Sequence, residues 1–329
     1  MKKPKHAMNM VFTVLILILV LVMLYSGLRI LESTVFYQEQ EETGFVSKTI
    51  TRDGVEYFPR QDITTVLVMG IDQFGPVSDS GAYNNRGASD MNMLLIFDET
   101  AGVCNVLHLN RDTMVEMPVL GIGGREAGTY YGQLALSHTY GSGLEDSCEN
   151  TRKTISDFLY GISIDYYMAM HMDAISVLND AVGGVAVNVT EDFSAVDPSI
   201  GMGLVTLQGE QAINFVRTRQ GVGDQLNTSR ISRHQEYIDG FADAFRRKRE
   251  ENAEFILTAY EEVTPYLVTD CSANAVSGMI DRYGDFVVGE VVMPEGENVR
   301  GEKYYEFYAD EEKLDALILR LFYAPKEQS

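Results

Sequence analysis

Apolar positions along this chain fall into one long run and several short ones. The long run, Met8–Leu28, contains no charged side chain. As a helix rising about 1.5 Å per residue it spans roughly 30 Å, the thickness of a hydrocarbon core. The short runs begin at Ile63. TTVLVMG (64–70), MNMLLIFD (91–98) and VCNVLHLN (103–110) are bounded by Asp, Gly and Asn, which predicts buried strands. GVAVNVT (184–190) and DFVVGEVVM (285–293) follow the same pattern. Helices are predicted over 146–160 and 173–182, each ending at a glycine, Gly161 and Gly183. Two more, 209–219 and 229–249, flank a GVGDQLN loop (221–227), and others fall near 252–264, 271–283 and 310–322. Strands interleaved with helices predict an α/β fold with a mixed central sheet sandwiched by helices.

The flanks of the long run give it a direction. Lys2, Lys3 and Lys5 precede it, and Arg29 and then acids follow. Positive charge stays on the cytoplasmic side, so the expected organisation is a cytoplasmic tail (1–7), a transmembrane helix (8–28) and a polar stalk (29–62). A single extracytoplasmic domain (63–325) follows. The run exceeds a signal-peptide core, no small-x-small cleavage site follows it, and no cysteine near its end offers a lipid anchor. The expected location is therefore the cell membrane, crossed once.

Charge narrows the partners. The chain has 48 acidic against 26 basic residues, a formal net charge of −22, and every acid lies after the apolar run. Affinity for a nucleic-acid backbone rests on excess Lys and Arg, so no nucleic-acid partner is expected. Cys104, Cys148 and Cys271 are widely spaced with no CxxC pair, which leaves room for one disulfide, argues against zinc and favours free buried thiols.

Against this acidic background, Arg217, Arg219, Arg230 and Arg233 cluster with one acid, Asp224, and no lysine among them. Guanidinium presents a planar fork that matches phosphate oxygens and keeps its charge. On spacing alone the cluster reads either as an anion site or as a solvated helix face. Asp72 follows the first strand and Asp90 opens the second, one on each side of the loop QFGPVSDSGAYNNRGAS. Such a pair can converge on a hard cation that takes further ligands from phosphate and water, or simply punctuate turns. Arg111 and Asp112 end the third strand in LNRDT, where an internal ion pair is the plainer account. GSG (141–143) lacks the strand of a nucleophile elbow, and GIGG (121–124) lacks the Lys-Ser/Thr of a phosphate loop. His138, His171 and His234 lack metal-pair spacing.

TVLVMGID, SDMNMLLIF, LNRDT, QLALSHTYG, IDYYMAM, DAVGGVAVNV, LQGEQAINFVRTR and GD…SRISRHQ occur in this order over residues 63–245. In that order they resemble the LytR-CpsA-Psr family of cell-envelope glycopolymer transferases. The resemblance implies transfer of a phosphoglycopolymer, such as teichoic acid or capsule, from a polyprenyl-pyrophosphate carrier to peptidoglycan, assisted by Mg2+ or Mn2+. By motif match it implies metal ligands at Asp72 and Asp90, and pyrophosphate contacts at Arg111, Arg217, Arg219, Arg230, Arg233 and Gln235. Asp90, Arg111 and Asp112 would be the catalytic group. The chain departs from the family pattern at Ala88, where arginine is usual and the nearest one is Arg86, and at Gln133, which stands in place of a lysine. Hydrolysis of the same lipid pyrophosphate, or non-catalytic scaffolding of envelope polymer, would use the same arginines.

Overall fold

The structure is a computed structural model and describes residues 49–326 apart from 53, 219–220, 224–226, 253–254, 272–277, 280–281 and 284–285. The chain first lays down β1 (Ile50–Arg52), β2 (Val55–Pro59), β3 (Ile63–Ile71), β4 (Ser89–Asp98) and β5 (Val103–Leu109). A hairpin of β6 (Met114–Leu120) and β7 (Glu126–Gln133) leads through a 3-10 turn, Leu134–Thr139, into α1 (Glu145–Phe158). Next come β8 (Tyr166–His171), α2 (Asp173–Ala181), the hairpin β9 (Val185–Val189) and β10 (Gly203–Leu207), and α3 (Glu210–Arg217). The long α4 (Asn227–Glu251) is followed by α5 (Phe255–Val263), β11 (Leu267–Thr269) and β12 (Val287–Val292). A last hairpin, β13 (Gly296–Arg300) and β14 (Tyr305–Ala309), precedes α6 (Glu311–Phe322) and β15 (Tyr323–Pro325).

The central sheet has the order β11-β8-β3-β4-β5-β12 and is mixed. β3 pairs parallel with β8 and antiparallel with β4, and β5 pairs parallel with β12. Its strands read as unbroken apolar runs because both faces are covered. On one face Val66, Val68, Met93, Leu95 and Phe97 pack with residues of α2, α3, α4 and α5. On the other, Leu67, Met69, Leu94 and Ile96 pack with residues of α1 and α6. The expected sandwich is the one observed.

Two expectations need correction or restriction. The stalk was expected to reach residue 62, yet β1 and β2 form a three-stranded sheet with β15, with Tyr323 opposite Pro59 and Pro325 opposite Tyr57. Tyr57 is half-buried against the core, which gives that polar segment its anchor. The run 8–28 lies outside the described residues, as does most of the helix expected over 271–283. Among the described residues no helix is long and apolar enough to cross a membrane. All three cysteines are buried and free.

Candidate active site

The site assembles where β3 and β4 separate. Along most of their length the two strands pair one to one, but Gly70 pairs with Met91 and Ile71 with Ser89. Asp90 is therefore the extra residue of a β-bulge, a device that re-aims a side chain next to a site. Across from it Asp72 leaves β3, held by its backbone N–H donating to the Ala88 carbonyl at 2.9 Å. The bulge and this bond bring both carboxylates to one end of the sheet.

Each carboxylate meets an arginine. Arg217, the last residue of α3, directs Nε and Nη2 to the same Asp72 oxygen at 3.0 and 2.9 Å. Its guanidinium also lies over the Phe74 ring, 5.2 Å from the centroid. Arg111, just past β5, bonds Asp90 through Nη1. Arg111 Nε lies 3.4 Å from Asp112 Oδ1 without a hydrogen bond to any partner. Gln133 Nε2 donates to that same Asp112 oxygen at 2.9 Å and to the Tyr305 carbonyl at 2.9 Å. The internal Arg111–Asp112 pair is thus real, but Arg111 is shared with Asp90.

The loop between the two aspartates is fastened from below. Asn85 donates to the His138 and Gly141 carbonyls at 2.7 and 2.9 Å, and accepts from the Gly87 N–H at 2.7 Å. Gly87 sits so close to the sheet that a Cβ would stand 2.8 Å from Ile71 and 2.9 Å from Gln73. His138 Nδ1 donates to the Gly87 carbonyl at 2.7 Å, which fixes the tautomer and leaves Nε2 toward Cys148. Burial of the imidazole lowers its pKa to about 4. His138 is a structural histidine.

Behind the carboxylates opens an apolar cavity of about 140 Å3. Asp90 and Arg217 stand in its wall, and Met91, Met93, Met170, Met172, Ile175 and Ile238 supply its apolar lining. His171 and His234 also border it, tied to the Gly75 and Val216 carbonyls at 2.9 Å each. Methionine is unbranched and adaptable, so such a cavity can reshape around a flexible guest.

The remaining predicted residues divide. Arg233 is only 6% exposed. Its Nε donates to the Phe215 carbonyl at 3.1 Å, while its Nη atoms bond Glu191 and the Thr218 carbonyl. Phe193 lies beneath its guanidinium at 5.6 Å. At Arg233, where a direct pyrophosphate contact was expected, the donors go instead to the Phe215 carbonyl within α3, the Thr218 carbonyl just after it and Glu191. Arg230 and Gln235 lie on α4. Arg219 lies outside the described residues. The reshaping bulge and Gln133's bonds are features that the linear sequence did not reveal, since both depend on pairing between distant segments.

Two carboxylates on adjacent strand ends suit a hard cation that completes its shell with phosphate oxygens and water. Among the described residues no group of three or more His, Cys, Asp or Glu could hold a metal by itself, so the substrate would have to supply the balance.

Sheet, bulge and paired arginines define an α/β domain that sets two arginine–aspartate pairs at the sheet end, with one member of each, Asp90 and Arg217, in the wall of an apolar cavity. The LytR_cpsA_psr family profile matches residues 30–320, and the chain belongs to that family. The polyisoprenyl-teichoic acid–peptidoglycan teichoic acid transferase TagU of Oceanobacillus iheyensis is 27% identical over 167 residues, covering 50% of this chain and 46% of the relative. The chain thus matches about half the length of the curated relatives. A structure of TagT bound to LI-WTA superposes with a TM-score of 0.56 at 22% identity, covering 79% of this chain and 90% of the other. For protein gbs0355 of Streptococcus agalactiae the TM-score is 0.62 at 22% identity, with 79% and 86% covered. At that identity the superpositions establish the fold.

Proposed function

We propose that this chain transfers a phosphoglycopolymer, teichoic acid- or capsule-like, from a polyprenyl-pyrophosphate carrier to peptidoglycan. The observation that carries this is the cavity whose apolar lining runs directly into Asp90 and Arg217. A prenyl chain needs the first surface and a pyrophosphate the second, and few other ligands need both. The curated relatives named as teichoic acid transferases point the same way.

In this scheme Arg217 and Arg111 exchange part of their carboxylate contacts for pyrophosphate oxygens, binding through charge-assisted forks. A hydroxyl oxygen of peptidoglycan attacks the polymer-side phosphorus. The bond from that phosphorus to the bridging oxygen breaks, and polyprenyl phosphate leaves with the electron pair. Asp90 or Asp112, the two carboxylates beside Arg111, takes the hydroxyl proton. The arginines neutralise the charge that builds on the leaving phosphate, and Asp112 with Gln133 fixes Arg111 in place. A Mg2+ or Mn2+ ion held by Asp72 and Asp90 would supply further charge neutralisation at the phosphates. The run 8–28 would anchor the chain in the membrane that carries the lipid donor, with the domain outside.

The test is the full-length protein with Mg2+ and a polyprenyl-pyrophosphate sugar, with and without peptidoglycan. Polymer-linked peptidoglycan formed only in the presence of acceptor is the expected result. Acceptor-independent release would make the protein a hydrolase, and an intact donor would make it a scaffold.

A further inference from the structure

In-line displacement dictates where an acceptor must arrive. Attacking and leaving oxygens stand on opposite sides of the phosphorus. On the transferase reading, the leaving side carries the lipid into the cavity bordered by Asp90 and Arg217. Side-chain contacts lead away from that cavity from Asp90 to Arg111, from Arg111 to Asp112, and from Asp112 to Gln133. There the hairpins β6–β7 and β13–β14 are joined. Gln133 bonds the Tyr305 carbonyl, Phe307 N–H donates to the Asp112 carbonyl at 2.8 Å, and Thr113 forms a bridge to Phe307.

The outer surface of this joint is aromatic. Tyr131 is 56% and Tyr308 40% exposed, and Tyr304, in the turn between β13 and β14, is 69% exposed. Strand alternation puts Tyr131 on the Gln133 face of β7, opposite Glu116. Tyr308 stands opposite Glu297 and donates its hydroxyl to Glu306 at 2.7 Å. Its phenol pKa is raised, chiefly by that bond, and Tyr131 is near enough to add to the effect. Exposed apolar surface gathered in this way marks an interaction site. Tyrosine offers a flat apolar face with a polar tip, and the neighbouring glutamates accept hydrogens from hydroxyl or amide groups. These carboxylates repel a polyanion. They suit an uncharged, polyhydroxylated chain whose rings have flat C–H faces.

We infer that the tyrosine face formed by these two hairpins, centred on Tyr131 and Tyr308, binds the glycan strand of the acceptor on the side of Arg111 and Asp112 remote from the lipid cavity. The direction of approach rests on the transferase reading, whereas glycan binding itself can be measured without it.

The test uses the full-length protein in detergent and two probes, muramidase-released peptidoglycan glycan fragments and a polyprenyl-pyrophosphate sugar. Calorimetry compares wild type with Tyr131→Ala, Tyr308→Ala, Tyr131→Phe and Tyr308→Phe. Each alanine variant is expected to weaken glycan binding by about tenfold or more, and each phenylalanine variant by less than about threefold. Donor affinity should stay at the wild-type value throughout, which also reports an intact fold. Glycan affinity unchanged in both alanine variants overturns the inference, as does a wild type that binds donor but no glycan. Tyrosine-dependent glycan binding in a protein that never turns over the donor would keep this face and remove the transferase reading.

Discussion

Arg217 reaches one carboxylate oxygen of Asp72 with both Nε and Nη2, at 3.0 and 2.9 Å, from the wall of the apolar cavity. The pair joins residues far apart in sequence, and the Arg217 side chain remains 47% exposed. It is held in position yet open to a second anion. Arg217→Ala and Arg111→Ala should each weaken binding of a polyprenyl-pyrophosphate sugar by about ten- to a hundredfold. Lysine at either position should restore only part of the loss, because it lacks the planar fork. Calorimetric affinities equal to wild type in both alanine variants would refute a pyrophosphate clamp.

The two aspartates are predicted to hold the cation. Asp72→Ala together with Asp90→Ala should abolish Mg2+ binding measured by calorimetry and leave the circular dichroism spectrum unchanged. Normal Mg2+ binding by the double variant would place the metal elsewhere.

Arg233 should behave differently from its neighbours in sequence. Its guanidinium is buried against Glu191, two carbonyls and the Phe193 ring. Arg233→Ala strands a partly buried carboxylate, and breaking such a pair costs about 3 kcal/mol. A marked fall in melting temperature is expected, against little change for Arg217→Ala. Equal melting temperatures for the two variants would show that Arg233 carries no structural load.

His138 gives the loop beneath the site a pH dependence. Its folded pKa is near 4, below the usual 6.5, because burial disfavours the imidazolium. A base with a depressed pKa contributes its full stability above the unfolded value, and that stability is lost as pH falls from about 6.5 toward about 4. The full loss is on the order of 3 kcal/mol. Asparagine can keep the donor to the Gly87 carbonyl without titrating. Wild type should therefore lose more melting temperature than His138→Asn between pH 7 and pH 5, and parallel curves would count against this assignment.

Filling the cavity should discriminate by lipid length. Ile175 lines it alongside the four methionines. Ile175→Trp is expected to raise KM for a long-chain donor while sparing one with a short, water-soluble tail. An equal effect on both donors would mean that the tail binds elsewhere.

The central strands were legible in sequence because burial on both faces leaves an unbroken apolar signature, as in Leu94–Phe97, each at most 1% exposed. The helices over 146–160 and 173–182 were legible by the glycines that end them, Gly161 and Gly183. The hairpins β6–β7 and β13–β14 were not. β7 reads EAGTYYGQ and is exposed along most of its length, and β13 is exposed throughout, so no burial pattern was written into them. At the site, residue types pointed to phosphate and cation chemistry, but the aim of each side chain came from pairing. Asp90 turns on a one-residue irregularity opposite Gly70 and Ile71. Arg233 looked equivalent to Arg217 until Glu191 and the Phe215 and Thr218 carbonyls were found around it. Nothing local in SRISRHQ distinguishes an arginine that faces a ligand from one that braces the backbone.

The pairing of β2 with β15 also governs when the domain can be completed during synthesis. Glu56 and Lys326 are bonded at 2.8 Å across 270 positions of chain. β1 and β2 emerge from the ribosome early but lack their third strand until Tyr323–Pro325 are made, so their edge waits unpaired until then. A release that stops short of Tyr323 would leave that edge open, and such chains should be the first degraded by quality-control proteases even with every site residue in place.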